Sequence, residues 1–204
     1  MAAVALVVAA YLLGMFPTAA LVGRRSGFDP AVDGSHNPGA SNALRLGGRK
    51  AGALVLAGDL AKGALSAGVG LLVGGRPLAV ACGVAAVVGH VLPVTRLRGG
   101  GKGVASAAGL LLVVEPAIAA VCAVVWVVGF ACSRIPAVAS IAACVAVVAA
   151  LVVVGRPAWE IAALGGACVV LVARHGGNLS RLRRGEERPV DVQRATRRSR
   201  GARR

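Results

Sequence analysis

Three stretches of this 204-residue chain set glycine, serine, asparagine, histidine and basic side chains close together. The first runs Asp33-Gly34-Ser35-His36-Asn37-Pro38-Gly39-Ala40-Ser41-Asn42-Ala43-Leu44-Arg45 and closes on Gly47-Gly48-Arg49-Lys50. Glycine turns backbone N–H groups toward an anion without steric cost, Ser35 and Asn37 add side-chain donors, and Arg45, Arg49 and Lys50 add charge. The plainer reading is a Gly/Asn-rich turn flanked by cations. The second stretch, Arg98-Gly99-Gly100-Gly101-Lys102-Gly103-Val104-Ala105-Ser106, is a glycine loop that runs directly into an apolar helix. Backbone amides at a helix N-terminus together with one lysine make a phosphate site; a flexible connector is the alternative. Gly103 after Lys102, where a Walker A loop has Ser or Thr, means that no nucleotide is implied. In the third, Arg174-His175-Gly176-Gly177-Asn178-Leu179-Ser180-Arg181, His175 and Asn178 share a face if the helix continues, and His175 is either a general base or a structural helix-end residue.

Two further polar groups fall inside apolar runs. Asp59 and Lys62 stand three residues apart, as an ion pair or a substrate contact, and His90 closes another run as a helix-end structural residue. The five cysteines also lie in apolar runs without a C-x-x-C spacing, so they read as small buried hydrophobes, and no metal or cofactor is expected.

What must position these groups is a membrane protein. Hydrophobic residues make up 57% of the chain and charged ones 15%, against about 45–50% and about 25% in soluble domains. Apolar runs occur at Ala2–Val22, Ala51–Val73, Pro77–Thr95, Val104–Val114, Ala117–Cys132, Pro136–Gly155 and Trp159–Ala173. The first has no preceding cations, unlike a secretory signal peptide, and reads as a retained span. A full crossing takes about 20 residues, so the fourth run is short, and Glu115-Pro116 parts it from the fifth. Counting both as spans gives seven, and then every Lys and Arg of the 23 except Lys62, Arg76 and Arg156 lies on one side. Joining them gives six and divides the cations between the two faces. The positive-inside rule favours seven, with the N-terminus out, the C-terminus cytoplasmic and all three polar stretches on the cytoplasmic face. The expected architecture is therefore an all-α integral membrane protein: a seven-span domain over 1–187 with short fourth and fifth spans, then a basic, disordered tail over 188–204 in contact with anionic membrane lipid. On this map the formal net charge of +15 reports topology, and no nucleic-acid partner is implied.

Taken together, the stretches resemble the bacterial acyl-phosphate:glycerol-3-phosphate acyltransferases, the PlsY family of small seven-span enzymes. The family pattern G-S-G-N-x-G-A-T-N-x-x-R is met by Gly34 to Arg45, with His36 and Ser41 as substitutions. G-H-x-x-P-V and G-G-K-G-V-A-T are met by Gly89 to Val94 and by Gly100 to Ser106. R-H-x-x-N-I-x-R-L-x-x-G-x-E is met by Arg174, His175, Asn178, Arg181, Leu182, Gly185 and Glu187, and D-x-x-K-G by Asp59 to Gly63. The match runs from about Tyr11 to Glu187 in order and spacing; each motif alone is weak, and three in register are specific. One departure is Ala137 at the first serine of a Ser-Leu-Gly-Ser-like element, where Ser140 keeps the second.

The resemblance implies transfer of a fatty acyl group from acyl phosphate to the 1-hydroxyl of glycerol 3-phosphate at the plasma membrane of a bacterium, the first acylation of phospholipid synthesis. It implies no cofactor and no direct need for CoA or acyl-carrier protein. On this reading Ser35, Asn37, Arg45, Arg49 and Ser106, with Lys102 and the amides of Gly100, Gly101 and Gly103, bind the two phosphates, and Ser140 joins the substrate contacts. His175, Asn178 and Ser35 are the candidate catalytic groups, and the proton acceptor is either His175 or the leaving phosphate. Glu187 is a structural partner for an arginine.

Competing functions fit less well. Acyltransferases built on H-x-x-x-x-D need an aspartate five residues after a histidine, and here those positions are Ser41, Thr95 and Ser180. A small transporter for a phosphorylated anion calls for paired broken helices, and only Glu115-Pro116 interrupts a run. A purely structural membrane protein has no use for three glycine-rich polar loops on one face.

Overall fold

The computed structural model describes residues 1–96, 99–187 and 189–190, so most of the expected tail lies outside the described residues. Among these every regular element is a helix: α1 (Ala2–Gly14), α2 (Thr18–Ser26), α3 (Ala40–Val91), α4 (Val104–Val114), α5 (Pro116–Ser133), α6 (Pro136–Val153), α7 (Ala158–Arg174) and α8 (Gly176–Arg183), with a 3-10 turn at Val94–Arg96.

The first apolar run is thus two helices. Pro17 carries no N–H to continue the ladder, and the chain breaks at Met15–Pro17 before α2 resumes. The 52 residues of α3 would extend about 78 Å if straight, more than twice the hydrocarbon thickness of a bilayer. Non-helical backbone at Gly48 and at Gly74 and Gly75 instead divides α3 into α3a (40–47), α3b (49–73) and α3c (76–91). Gly75 takes φ 69°, a conformation that a side chain would strain. Past it α3c folds back on α3b, so closely that a Cβ at Gly70 would lie 2.6 Å from the carbonyl oxygen of Leu78.

Ala2–Ser26, Ala40–Val91, Pro116–Ser133 and Pro136–Val153 are long and apolar enough to cross a membrane, as is the bent pair α7–α8 taken together; α4 is a shorter apolar helix as expected, whereas α5, expected to be short, starts at Pro116 itself and runs 18 residues. Valines and leucines at Val121, Val124, Val128, Val145, Leu54 and Leu72 point outward, the inverse of a soluble protein and the arrangement that lipid demands. The centre is built from small and branched residues: Ala67, Ala79, Val80, Leu110, Val114, Val147 and Leu151 join α3, α4 and α6 in one cluster.

Two polar ends bound this core. At one, Arg76, Glu115, Arg156 and Glu160 form an ion-pair network: Arg76 reaches both Glu115 and Glu160, and Arg156 reaches Glu115. It ties together the α3b–α3c, α4–α5 and α6–α7 junctions. At the other end lie the loop before α3, the glycine loop before α4, Arg134 after α5 and the α7–α8 bend. Val190 returns to this end, where it is buried and its N–H donates to the Arg134 carbonyl at 2.9 Å. The fold therefore gathers all three polar stretches at one end, although they are far apart in sequence.

Candidate active site

The first polar stretch is a loop organised around Asn42, which lies in the first turn of α3a. Its Oδ1 accepts from the Ser35 N–H at 2.9 Å, and its Nδ2 donates to the carbonyls of Asp33 and Pro30 at 3.1 and 3.3 Å. Asn42 is buried while Ser35 and His36 are exposed, so one internal amide holds up a loop whose polar tip faces outward. Asn37 is half-buried beside Gly39, against which its Nδ2 packs. Arg45 lies one helical turn further, partly buried; Arg49, past the break at Gly48, is exposed.

The glycine loop lies against the end of α3c. Gly101 donates its N–H to the His90 carbonyl at 3.1 Å, and a Cβ at Gly100 would strike the Val91 carbonyl. Gly103 adopts φ 84° as the N-cap of α4, a turn open to glycine at little cost. The Lys102 side chain, just before it, reaches Asn178 on α8.

The third stretch differs from an uninterrupted helix. Backbone at His175 (φ −89°, ψ 3°) ends α7, and α8 leaves at 50° to it. His175 and Asn178 therefore do not share the face of one straight helix; the bend brings both to the glycine loop by another route. Arg174 donates from Nη2 to the Gly100 carbonyl at 2.8 Å, and Lys102 donates from Nζ to Oδ1 of Asn178 at 2.5 Å. Asn178 in turn donates from Nδ2 to Glu187 at 2.7 Å, and Arg181 donates from Nε to the other Glu187 oxygen at 2.7 Å. His175, only 2% exposed, has Nδ1 2.8 Å from the Leu171 carbonyl. A carbonyl only accepts, so Nδ1 carries the hydrogen and Nε2 keeps its lone pair.

Lys102, Arg45, Arg174 and Arg181 thus act on one another, with Glu187 as the carboxylate that opposes them. Burial pushes the Lys102 ammonium down from 10.5 to about 8; Glu187 works against this, while Arg181, Arg45 and Arg174 add to it. Four cations held by one carboxylate leave an excess of positive charge at a half-buried lysine, which is the electrostatic form of an anion site.

Not every candidate reaches this cluster. Ser106 is fully buried in the seam where α4 crosses α3b at Gly63. Ser140 accepts from Trp126 Nε1 at 3.0 Å and donates to the Pro136 carbonyl at 2.8 Å, fastening α5 to α6. Asp59 and Lys62 are paired at 2.9 Å, and His90 faces the same carboxylate at 3.6 Å. Sequence reasoning passed over Asn42, Arg174 and Arg181 as site residues. The signal for the last two was their place in the third stretch, beside His175 and one turn after Asn178.

A profile described as glycerol-3-phosphate acyltransferase matches residues 4–185. The chain belongs to this family. Glycerol-3-phosphate acyltransferases from Neisseria gonorrhoeae and Myxococcus xanthus are 40% and 43% identical to it over 198 and 188 residues, covering 92% and 90% of this chain and 97% of each relative. The crystal structure of PlsY, an integral membrane glycerol 3-phosphate acyltransferase, in its glycerol 3-phosphate form superposes with a TM-score of 0.89 at 33% identity, over 95% of this chain and 98% of that one. The lysophosphatidic acid form gives 0.87 at 32% identity, over 96% and 98%. The fold is that of an integral membrane acyltransferase, and the glycine loop, α7 and α8 lie wholly within the matched length.

Proposed function

We propose that the protein acylates the 1-hydroxyl of glycerol 3-phosphate from a fatty acyl phosphate, in the cytoplasmic membrane of a bacterium, with seven crossings and its site on the cytoplasmic face. The observation that carries the reading is the Lys102–Asn178–Glu187 chain, surrounded by Arg45, Arg174 and Arg181 at a polar end of an apolar bundle. Both reactants are phosphorylated anions, and the donor also carries a long apolar chain, which suits this junction of cations and lipid-facing helices.

In the reaction the hydroxyl oxygen bonds to the acyl carbonyl carbon, the bond from that carbon to the phosphate oxygen breaks, and orthophosphate leaves with the electron pair. Lys102, Arg45 and the glycine-loop amides other than Gly101, whose expected phosphate contact is ruled out because its N–H donates to the His90 carbonyl, neutralise the phosphates, with Ser35, Asn37 and Arg49 at the rim of the first loop. His175 Nε2 accepts the hydroxyl hydrogen bond, and Asn178 orients the lysine. The proton passes to His175 or to the departing phosphate. An acyl phosphate is already activated, so positioning and charge neutralisation supply most of what the chain must add.

The test is direct. Purified protein in detergent, given acyl phosphate and glycerol 3-phosphate, releases phosphate and forms 1-acyl-glycerol 3-phosphate without CoA, acyl-carrier protein or added metal. Absence of turnover, with Lys102→Ala and His175→Ala indistinguishable from the parent, overturns the reading.

A further inference from the structure

We propose that Asp59, Lys62 and His90 are positioning residues that set the glycine loop in place, and so govern affinity for a substrate phosphate without touching it. The inference rests on the acyl-transfer reading given above. All three side chains are buried, at 2%, 4% and 9% exposure, a costly arrangement for ionisable groups unless each is partnered.

Their partners define a strut. Lys62 donates at 3.0 Å to the Phe16 carbonyl in the break between α1 and α2, an oxygen that also accepts from the Thr18 N–H, and it pairs with Asp59 at 2.9 Å. Asp59 faces His90 Nδ1 at 3.6 Å, and the far ring edge of His90 lies directly against Gly101, so that a Cβ there would collide with Nε2. The Gly101 N–H is held by the His90 carbonyl at 3.1 Å. Four parts of the chain meet through this line: the α1–α2 break, α3b, the end of α3c and the glycine loop.

Gly99, Gly100 and Gly101 have no side chains with which to hold their own conformation, so order must be imposed from outside. His90 is the surface on which they rest, and the Asp59–Lys62 pair is what keeps His90 from turning away. Lys102 follows directly, and its reach to Asn178 depends on where that backbone sits. A second phosphate site at the triad is a worse reading: the Asp59 carboxylate balances the ammonium, and the adjoining cavity measures about 20 Å³, room for roughly one water.

The test uses the full chain in detergent, with amide hydrogen exchange over residues 99–103 and steady-state kinetics for both phosphorylated substrates. The variants are His90→Gln and the double variant Asp59→Leu with Lys62→Met, which replaces the ion pair by apolar groups and leaves no buried charge unpaired. The expected result is exchange at least tenfold faster, KM for one or both substrates raised at least tenfold, kcat within threefold and an unfolding midpoint within a few degrees of the parent. Folded variants with parental exchange and parental KM overturn the proposal, as does a fall in kcat with both of those unchanged. If the double variant does not fold, His90→Gln decides by the same readouts. A parent without turnover overturns the acyl-transfer reading alone, since hydrogen exchange still judges the strut.

Discussion

Lys102 and Asn178, 76 residues apart in the chain, meet at 2.5 Å where the glycine loop faces α8. The amide of Asn178 is used on both sides: Oδ1 accepts from the ammonium, and Nδ2 donates to Glu187. An aspartate at this position would set a second carboxylate against Glu187, and an alanine would leave the ammonium without its acceptor. Asn178→Ala is expected to lower kcat/KM by about 100-fold, the scale of losing one preorganised polar group in an active site. Asn178→Asp should not rescue it. Phosphate release at subsaturating glycerol 3-phosphate measures both.

Alkaline pH separates activity from stability at Lys102. With its ammonium lowered to about 8, the positive charge is present below that pH and lost above it. Affinity for a phosphorylated substrate should therefore fall about tenfold per pH unit on the alkaline side. Stability moves the other way. Between about 8 and 10.5 the unfolded chain binds the proton that the folded chain has released, so unfolding free energy rises with pH through that window. The profile of kcat/KM and the thermal midpoint should thus diverge above pH 8. Lys102→Arg, always charged, should flatten the kinetic limb.

Much of this was legible in the sequence because it was written locally. The run lengths and the one-sided distribution of arginine pointed to a membrane bundle, and three glycine-rich stretches carried their own motif spacing. Other features needed the third dimension. Pro17 is a local signal for the α1–α2 break, yet the use of the Phe16 carbonyl by Lys62 joins residues that no periodicity relates. Asn42 looked like one more loop residue until its three hydrogen bonds placed it beneath the loop. Ser140 carried a motif position, but a hydroxyl cannot announce from sequence whether it faces a substrate or, as here, Trp126. The bend at His175 has a local signal in Gly176 and Gly177, which weaken a helix there, whereas its 50° angle and the Arg174 bond to the Gly100 carbonyl beside it appear only in three dimensions.

Helix spacing offers a test at the backbone level. Gly63 on α3b meets α4 so closely that a Cβ would collide with the Ser106 carbonyl, while Gly166 on α7 has open space around it. Alanine favours a helix over glycine by about 1 kcal/mol when nothing obstructs it. Gly166→Ala should therefore leave the unfolding midpoint unchanged or raise it. Gly63→Ala must push α4 away from α3b and should destabilise the protein by about 1–3 kcal/mol, which thermal unfolding in detergent reads for both.

The ion-pair network at the opposite end should uncouple stability from chemistry. Glu160 is fully buried and receives Arg76 through Nε at 3.0 Å and Nη2 at 2.6 Å, while Arg76 also donates to the Val114 carbonyl at 2.7 Å. Replacing Glu160 by alanine leaves Arg76 with Glu115, which Arg156 already engages, so two guanidinium groups converge on one carboxylate. Breaking a buried pair on one side costs about 3–5 kcal/mol; with Arg76 one-third exposed, the lower end of that range is expected. Glu160 and His175 stand at opposite ends of α7, about 22 Å apart along the helix axis. Glu160→Ala should thus lose much of its unfolding free energy yet keep kcat within threefold at temperatures where it remains folded. A matching fall in kcat for that folded variant would mean that the network at this end reaches the reacting groups through α7.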